Sequence, residues 1–255
     1  MEQNPTMELQ KLAITKQGQV LCYPRYEQQE LEKRLKELKN LGVKKLEFTG
    51  NRSVFDVPVL GKGCVGIVVI AYTDSQRAAL KIRRMDADRK EMFHEGEMLQ
   101  KANSIDIGPK LLAISENFLL MELIEGPHFP EWAETVKQTE NKSRVLQVAK
   151  NVLEQCFKLD QADLDHGELS NASKHIIVDA MDNPHLIDFE TSSINRKVSN
   201  VTSVCQYLFL GSQTADKLKD KLGNPNKKQV VEALRAYKQE RTRENFEKIL
   251  ERLEK

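Results

Sequence analysis

The spacing of apolar residues predicts strands in the first half of the chain and mainly helices in the second half. Runs of β-branched residues are typical of strands, whereas apolar positions three or four residues apart are typical of amphipathic helices. Leu31, Leu35 and Leu38 have this helical spacing, and Gly42 suits the end of their helix. The pattern predicts strands over residues 19–23, 46–49, 57–60, 67–72, 108–114 and 117–124, and helices over 26–40, 86–102, 143–160 and from 200 onward.

This order of elements predicts an α+β fold, with an antiparallel sheet followed by a mainly helical part. A chain of 255 residues is long enough for one large domain or for two lobes. We expect an N-terminal extension of strand and helix at 1–50, a strand-rich part at 51–125 and a helical part at 126–255. The extension could be an extra structural layer or a small partner-binding module.

The charge balance argues against a wholly basic nucleic-acid binder, because 39 Lys and Arg and 38 Asp and Glu give a net charge of +1. Residues 217–255 are locally basic, with 12 Lys and Arg and 7 Asp and Glu. We interpret this tail as a solvated helical face, in preference to a surface that binds RNA, a ribosomal partner or an acidic protein.

The cysteines and the apolar runs bear on cofactors and location. None of the four cysteines has C-x-x-C spacing, which argues against a zinc site or a redox motif. The N-terminus lacks an apolar signal segment, and no apolar run approaches the length of a membrane span. We therefore expect a cytoplasmic protein that does not contact a membrane.

A glycine-rich segment has the pattern G-x-G-x-x-G, formed by Gly61, Gly63 and Gly66. Dinucleotide-binding folds share this pattern, but there a strand precedes the glycines and a helix follows them. Here β-branched runs at 57–60 and 67–72 lie on both sides of the glycines, which predicts a hairpin.

Further polar residues interrupt apolar runs downstream of this hairpin. Lys81 lies in Ala-Leu-Lys-Ile, twelve residues after Val69, and Glu95 lies on the helix predicted over 86–102. Two acidic motifs follow, His-Gly-Glu-Leu around Glu168 and Leu-Ile-Asp-Phe-Glu around Asp188. Asp188 lies 20 residues after Glu168, an interval that suits a hairpin between them.

From about residue 54 to residue 210 these motifs resemble, in order and in spacing, those of protein kinases. The H-G-E-L loop is similar to the H-G-D-L loop of atypical serine/threonine kinases of the RIO and Bud-like archaeal type. Eleven residues separate Asp188 from Asn200 without an A-P-E motif, and this short segment is also similar to that group. The resemblance implies a bilobal protein-kinase-like fold, with an antiparallel small lobe that carries one helix and a reduced helical large lobe.

In the small lobe, the resemblance implies an ATP site. Lys81 would hold the α- and β-phosphates, and Glu95 would pair with Lys81, with Glu97 as the weaker candidate. Met121 would be the gatekeeper, next to a hinge that binds adenine. The other residues expected to contact the nucleotide are Gly61, Lys62, Gly63, Gly66 and Val68 in the glycine segment, and Glu122 and Ile124 in the hinge.

In the large lobe, the resemblance implies a catalytic carboxylate and a magnesium site. Glu168 would orient the acceptor hydroxyl, although its side chain is about 1.5 Å longer than that of aspartate. Asp188 would chelate Mg²⁺. At the position of a second metal ligand, the chain has Ser173 or, after a two-residue insertion, His175, and neither is a usual magnesium ligand. His166 is interpreted as a structural anchor of the loop.

The implied activity is the ATP- and Mg²⁺-dependent transfer of a phosphoryl group to a protein hydroxyl, or to the chain itself. An ATPase-type switch with little protein phosphorylation and a small-molecule kinase are the alternatives. The limited length after the hinge leaves little room for the helical insert of a small-molecule kinase. A scaffold without activity is disfavoured by the intact glycine segment, by Lys81 and by Asp188.

Overall fold

A computed structural model describes residues 6–136, 142–211 and 213–254. The predicted α+β fold with an antiparallel sheet is confirmed. The chain forms two units: the first extends to Gln100 and includes Pro109–Leu123, and the second comprises Lys101–Gly108 and the chain from Ile124. The outermost positions of the predicted extension and tail, residues 1–5 and 255, lie outside the described residues.

The first unit is built on strands that precede residue 123. They are β1 (Thr6–Glu8), β2 (Lys45–Glu47), β3 (Arg52–Val54), β4 (Val57–Val59), β5 (Gly61–Lys62), β6 (Gly66–Tyr72), β7 (Arg77–Arg83), β8 (Leu111–Ile114) and β9 (Phe118–Glu122). The main sheet has the order β1-β2-β6-β7-β9-β8, with β5 also paired to β6, while β3 and β4 form a separate hairpin. All of these pairings are antiparallel.

The helices of this unit come mostly from the N-terminal extension. They are α1 (Leu9–Leu12), a 3₁₀ helix (Lys16–Cys22) and α2 (Gln28–Asn40), and they are followed later by α3 (Arg89–Asn103), whose residues up to Gln100 belong to this unit. The strand predicted over 19–23 is wrong, because Val20, Leu21 and Cys22 are buried in succession and do not alternate. Gly18 fixes this turn, since a Cβ atom there would lie 1.9 Å from the carbonyl oxygen of Leu12.

The extension is a structural layer of the first unit, because it supplies β1, β2 and a buried arginine to it. Arg34 on α2 is fully buried and donates to the carbonyls of Leu21 and Arg83 at 2.5 and 2.6 Å. It also donates to Asn117 Oδ1 at 3.0 Å, and Asn117 in turn donates to the Glu37 carboxylate. Helix α2 is therefore hydrogen-bonded to the end of β7 and to the turn before β9.

The second unit is mainly helical. Its elements are α4 (Phe129–Thr135), α5 (Lys142–Gln161), a 3₁₀ helix (Leu169–Lys174), β10 (Ile176–Val178), β11 (Pro184–Leu186), α6 (Asn200–Cys205), a π-helical turn (Gln206–Leu210), α7 (Gln213–Leu222), α8 (Lys227–Gln239) and α9 (Arg243–Glu254). The helices predicted over 143–160 and from 200 onward are confirmed within the described residues, with short interruptions in the second of these.

Several basic side chains of the tail have partners within the second unit. Arg243 forms a hydrogen-bonded ion pair with Glu154, and Lys221 donates to backbone carbonyls at the end of α4. Arg241 lies 3.0 Å from Asp163. These contacts favour the interpretation of the tail as a packed and solvated helical face. No described helix is long and apolar enough to cross a membrane.

Candidate functional site

The glycine segment forms the predicted hairpin. Strands β5 and β6 pair antiparallel, with Gly61 opposite Val68 and Lys62 opposite Ile67. The Gly63 N–H donates to the Gly66 carbonyl at 2.8 Å and closes the turn. Because a strand, and not a helix, follows the glycines, the dinucleotide-binding alternative is excluded.

Gly66 allows the hairpin to lie directly against the side chain of Lys81. Strand β6 pairs with β7, so Gly66 and Val68 stand on the strand next to Lys81. A Cβ atom on Gly66 would lie 2.8 Å from Lys81 Cγ and 3.0 Å from Lys81 Cε. The aliphatic part of the Lys81 side chain can therefore occupy this position only because residue 66 has no side chain.

Lys81 on β7 and Glu95 on α3 form a buried ion pair, which is the pairing expected from the sequence. Nζ and Oε2 are 2.7 Å apart, and the two side chains are 6% and 2% exposed. Burying two charges carries a large desolvation cost, so such a pair is weak evidence for a stabilising role. A buried cation beside a glycine hairpin instead marks a candidate anion-binding site.

A contact that the sequence did not reveal anchors the glycine hairpin to the N-terminal extension. Arg84 donates to the Gly63 carbonyl at 3.0 Å. Lys62 Nζ and Arg84 Cζ lie 4.7 and 5.1 Å from the ring centroid of Tyr23, which are cation–π distances. No local pattern links Tyr23 to the hairpin, because about forty residues separate them in the chain.

Replacing Gly66 by alanine is expected to displace Lys81 from Glu95 and to lower the free energy of unfolding by about 1–3 kcal/mol, because overpacking a buried site has effects of that size. Gly63→Ala is the matched comparison, since its Cβ would meet its nearest atom at 3.6 Å, an ordinary contact. Denaturant unfolding measures the free energy of unfolding of both variants. An equal loss in both would contradict the assigned role of Gly66.

The hinge candidates lie at and after the end of β9. Met121 is half-buried and stands opposite Ala79 of β7, and Glu122 is exposed. The Glu122 N–H donates to the Lys110 carbonyl at 2.8 Å, so this amide already has an acceptor within the first unit. Ile124 is half-buried and begins the second unit.

His166 anchors the acidic loop of the second unit, as the sequence suggested. Its ring is fully buried, and Nε2 donates to the Ile187 carbonyl at 3.1 Å. Its backbone N–H donates to Asn200 Oδ1 at 2.8 Å. Burial, together with repulsion by His175, lowers the pKa of His166 to about 4. The ring is therefore neutral near pH 7 and ties the loop to the residue before Asp188.

A buried aspartate, Asp160, binds the asparagine that holds the backbone of His166, and the sequence did not reveal this contact. Asp160, at the end of α5, accepts hydrogen bonds from Asn200 N, Asn200 Nδ2, Val201 N and the Tyr237 hydroxyl at 2.8–3.3 Å. Burial raises the pKa of Asp160. Because Asn200 also receives the His166 N–H, helices α5, α6 and α8 together hold the loop that carries Glu168.

Asp165 holds the short segment between Asp188 and Asn200. Its Oδ2 accepts from Arg196 Nε at 2.5 Å, and its Oδ1 accepts from Ser199 N at 2.9 Å. Its backbone also pairs with that of Ser193 in both directions. The Asp165 carboxylate therefore has a structural role in this segment. Glu168 is the carboxylate of the loop that solvent can reach.

The β10–β11 hairpin brings the two predicted carboxylates to one imidazole. The Ile187 N–H donates to the His175 carbonyl at 3.0 Å, which places the two ends of the hairpin side by side. His175 Nε2 lies 2.7 Å from Glu168 Oε2, and its Nδ1 lies 3.8 Å from Asp188 Oδ2. The His175 side chain is 10% exposed, while each carboxylate side chain is 40% exposed and can be reached from solvent.

Asp188 has a left-handed backbone, with φ 69°. Such a conformation costs free energy in residues other than glycine, although aspartate tolerates it better than most, and it is concentrated at functional sites. The next residue, Phe189, is buried with its ring 5.0 Å from that of His166. The buried phenylalanine therefore fixes the turn that exposes the Asp188 carboxylate.

The metal candidates differ in their surroundings. Ser173 donates to Asn171 Oδ1 at 3.3 Å, and His175 donates to Glu168. Among residues 6–136, 142–211 and 213–254, no group of three or more His, Cys, Asp and Glu side chains is arranged to hold a metal ion. A magnesium ion beside Asp188 would therefore take most of its oxygen ligands from nucleotide phosphates and water, as it commonly does in such sites.

The depressed pKa of His166 predicts that stability falls as the pH is lowered. The unfolded chain binds the proton at its ordinary pKa of 6.5, whereas the folded chain binds it at about 4. Stability present above pH 6.5 is therefore lost progressively down to about pH 4, by about 3 kcal/mol for this residue. In denaturant unfolding between pH 7 and pH 4, the free energy of unfolding should fall less with decreasing pH for His166→Gln than for wild type. An equal fall in both proteins would contradict the lowered pKa of His166.

Comparison with known proteins adds no family to this picture. No protein-family model matches the chain, and no curated protein has a similar sequence.

Proposed function

We propose that this protein is an ATP- and Mg²⁺-dependent phosphotransferase of the protein serine/threonine kinase type, whose two units correspond to the two lobes of a protein-kinase-like fold. The observation that carries the proposal is the buried Lys81–Glu95 pair, 2.7 Å apart, beneath the glycine hairpin. A buried ion pair is expensive to desolvate, and a phosphate-binding role accounts for its presence.

In the first unit, the proposal gives each group a task in nucleotide binding. Lys81, fixed by Glu95, would bind the α- and β-phosphates as a charged donor. The glycine backbone of the hairpin would cover the phosphates, because no side chains there prevent a close approach. The half-buried Met121 and the backbone near Glu122 and Ile124 would border the adenine.

In the second unit, the Asp188 carboxylate is 40% exposed and would supply one oxygen ligand to a magnesium ion. Nucleotide phosphates and water would supply most of the others, because His175 offers only nitrogen and its Nε2 lies 2.7 Å from Glu168. When bound, magnesium neutralises charge on the phosphates of the nucleotide. Asp188 would thereby orient the phosphate chain toward the acceptor.

Glu168 would act on the acceptor. Its carboxylate is half-exposed and would accept the hydrogen bond of a serine or threonine hydroxyl, and so would align the oxygen for attack. Proximity and orientation supply much of the rate enhancement in phosphoryl transfer, so the exact position of this carboxylate matters.

An ATPase-type switch is the second candidate, and one observation favours it. The segment between Asp188 and Asn200 is short and is held down by Asp165, so it offers little length for binding a peptide substrate. A water molecule could then take the place of the hydroxyl at Glu168. Protein substrate, self-phosphorylation and a cytoplasmic location remain predictions.

One reaction with γ-³²P-labelled ATP and Mg²⁺ tests the proposal, with labelled protein and released phosphate measured side by side. We expect Glu168→Gln to lower both products sharply, while Glu244→Gln, an exposed glutamate paired with Lys248, should behave as wild type. Labelled protein supports the kinase, and released phosphate alone supports the ATPase. Neither product from the wild-type protein, or full activity in Glu168→Gln, would contradict the proposed function.

A further inference from the structure

We propose that His175 is a positioning residue, which holds the Glu168 carboxylate through its Nε2–H and so adapts the longer glutamate to the task of orienting an acceptor. This inference rests on the proposed function, because it concerns how the same Glu168 carboxylate is held in position. The sequence alone placed His175 among the metal ligands.

The geometry at Nε2 is that of a strong hydrogen bond. Nε2 and Glu168 Oε2 are 2.7 Å apart, and only a protonated ring nitrogen can donate to a carboxylate. Nδ1 is buried and, within the part of the chain that the structure describes, has no hydrogen-bond partner. The two ring nitrogens therefore have distinct surroundings, and one of them is committed to Glu168.

His175 is also held by contacts that do not involve Glu168. Its backbone N–H donates to Ala172 at 3.0 Å, and its carbonyl accepts from Ile187 at 3.0 Å. Its ring lies edge-on to that of His166, with centroids 5.6 Å apart. Since His166 is itself hydrogen-bonded to Ile187, the His175 ring packs against a side chain that is anchored to the same hairpin.

Glutamate needs such support more than aspartate does. It has one more rotatable bond, and the Glu168 side chain is 40% exposed, so packing alone does not select one rotamer. A displacement of about 1 Å can lower a rate by roughly a hundredfold. A fixed donor at 2.7 Å therefore compensates for the extra length of the side chain.

The two nitrogens allow the positioning role to be separated from metal binding. The amide nitrogen of glutamine can reach the place of Nε2, whereas the polar atoms of asparagine lie near the place of Nδ1. Nδ1 is the atom that faces Asp188, at 3.8 Å from its Oδ2. If His175 positions Glu168, glutamine should replace it; if His175 binds the metal through Nδ1, asparagine should replace it, since carbonyl oxygen suits magnesium.

Steady-state kinetics of His175→Gln and His175→Asn test the proposal, with each variant first checked for wild-type thermal stability. We expect His175→Asn to lower kcat roughly ten- to a hundredfold at nearly unchanged KM for ATP and Mg²⁺. His175→Gln should stay within a few-fold of wild type. The reverse order, or a loss confined to the Mg²⁺ requirement, would overturn the proposal.

A second measurement does not depend on turnover. In ¹⁵N-histidine spectra, His175 should be the Nε2–H tautomer, and its Nε2–H signal should shift in Glu168→Gln more than in Asp188→Asn. An Nε2–H signal of His175 that shifts only in Asp188→Asn would contradict the proposal even if the protein were inactive. An inactive wild-type protein with the expected spectra would instead contradict the proposed function alone.

Discussion

Replacing Lys81 by methionine is expected to lower ATP turnover by roughly a hundred- to a thousandfold, the usual effect of removing one donor that faces developing charge. The amine lies 2.7 Å from Glu95 and carries the positive charge of the proposed phosphate site. Removing one partner of a buried pair also destabilises the fold, by roughly 3–5 kcal/mol. Phosphate release and thermal unfolding, measured on the same preparation, separate the two effects.

Lys45→Met is the matched control for this change. Lys45 lies on β2 of the same sheet, is 46% exposed and pairs with Glu8 at 3.0 Å. Such exposed pairs contribute little, so both activity and stability should stay close to wild type. Turnover retained in Lys81→Met, in a protein that is folded, would contradict a phosphate-binding role for the buried amine.

Replacing Asp160 by alanine is expected to produce the largest loss of stability in the second unit, about 3–5 kcal/mol. Four donors would lose a buried acceptor at once. Because Asn200 also holds the backbone of His166, the loop that carries Glu168 should loosen and activity should fall with stability. Denaturant unfolding followed by circular dichroism measures the first effect.

Asp220→Ala provides the comparison for Asp160, since Asp220 is exposed on α7 of the same unit. Surface substitutions of this kind usually change stability by less than about 0.5 kcal/mol. A loss of similar size in both variants, or an unchanged unfolding midpoint for Asp160→Ala, would show that the Asp160 network does not support the loop.

Local patterns predicted the elements that are specified by the spacing of residues close together in the chain. Helices α2 and α5 followed from their apolar periodicity, and the β5–β6 hairpin followed from glycines between β-branched runs. The 3₁₀ helix at Lys16–Cys22 was missed, because an apolar run buried in succession is easily read as a strand. Helix α4 was also missed, because it is only seven residues long and its sequence begins with Phe-Pro.

The site could be predicted only where a motif has fixed spacing. The pairing of Lys81 with Glu95 was expected from the resemblance to protein kinases, and the structure places the two side chains in contact. The Arg34–Asn117 bond joins residues 83 apart, and the Asp160–Asn200 bond joins residues 40 apart. No local pattern specifies such contacts, since they depend on how distant elements pack. For the same reason, the His175–Glu168 bond could not be read from the sequence.

Titration of ATP with and without Mg²⁺, followed by thermal unfolding, tests most directly whether the protein binds ATP through Lys81 and binds Mg²⁺ through Asp188. We expect ATP with Mg²⁺ to raise the unfolding temperature of the wild-type protein, because a ligand that binds only the folded state stabilises it. The shift should be lost in Lys81→Met and should lose its Mg²⁺ dependence in Asp188→Ala. A wild-type protein without a shift, or equal shifts in all three proteins, would contradict the account.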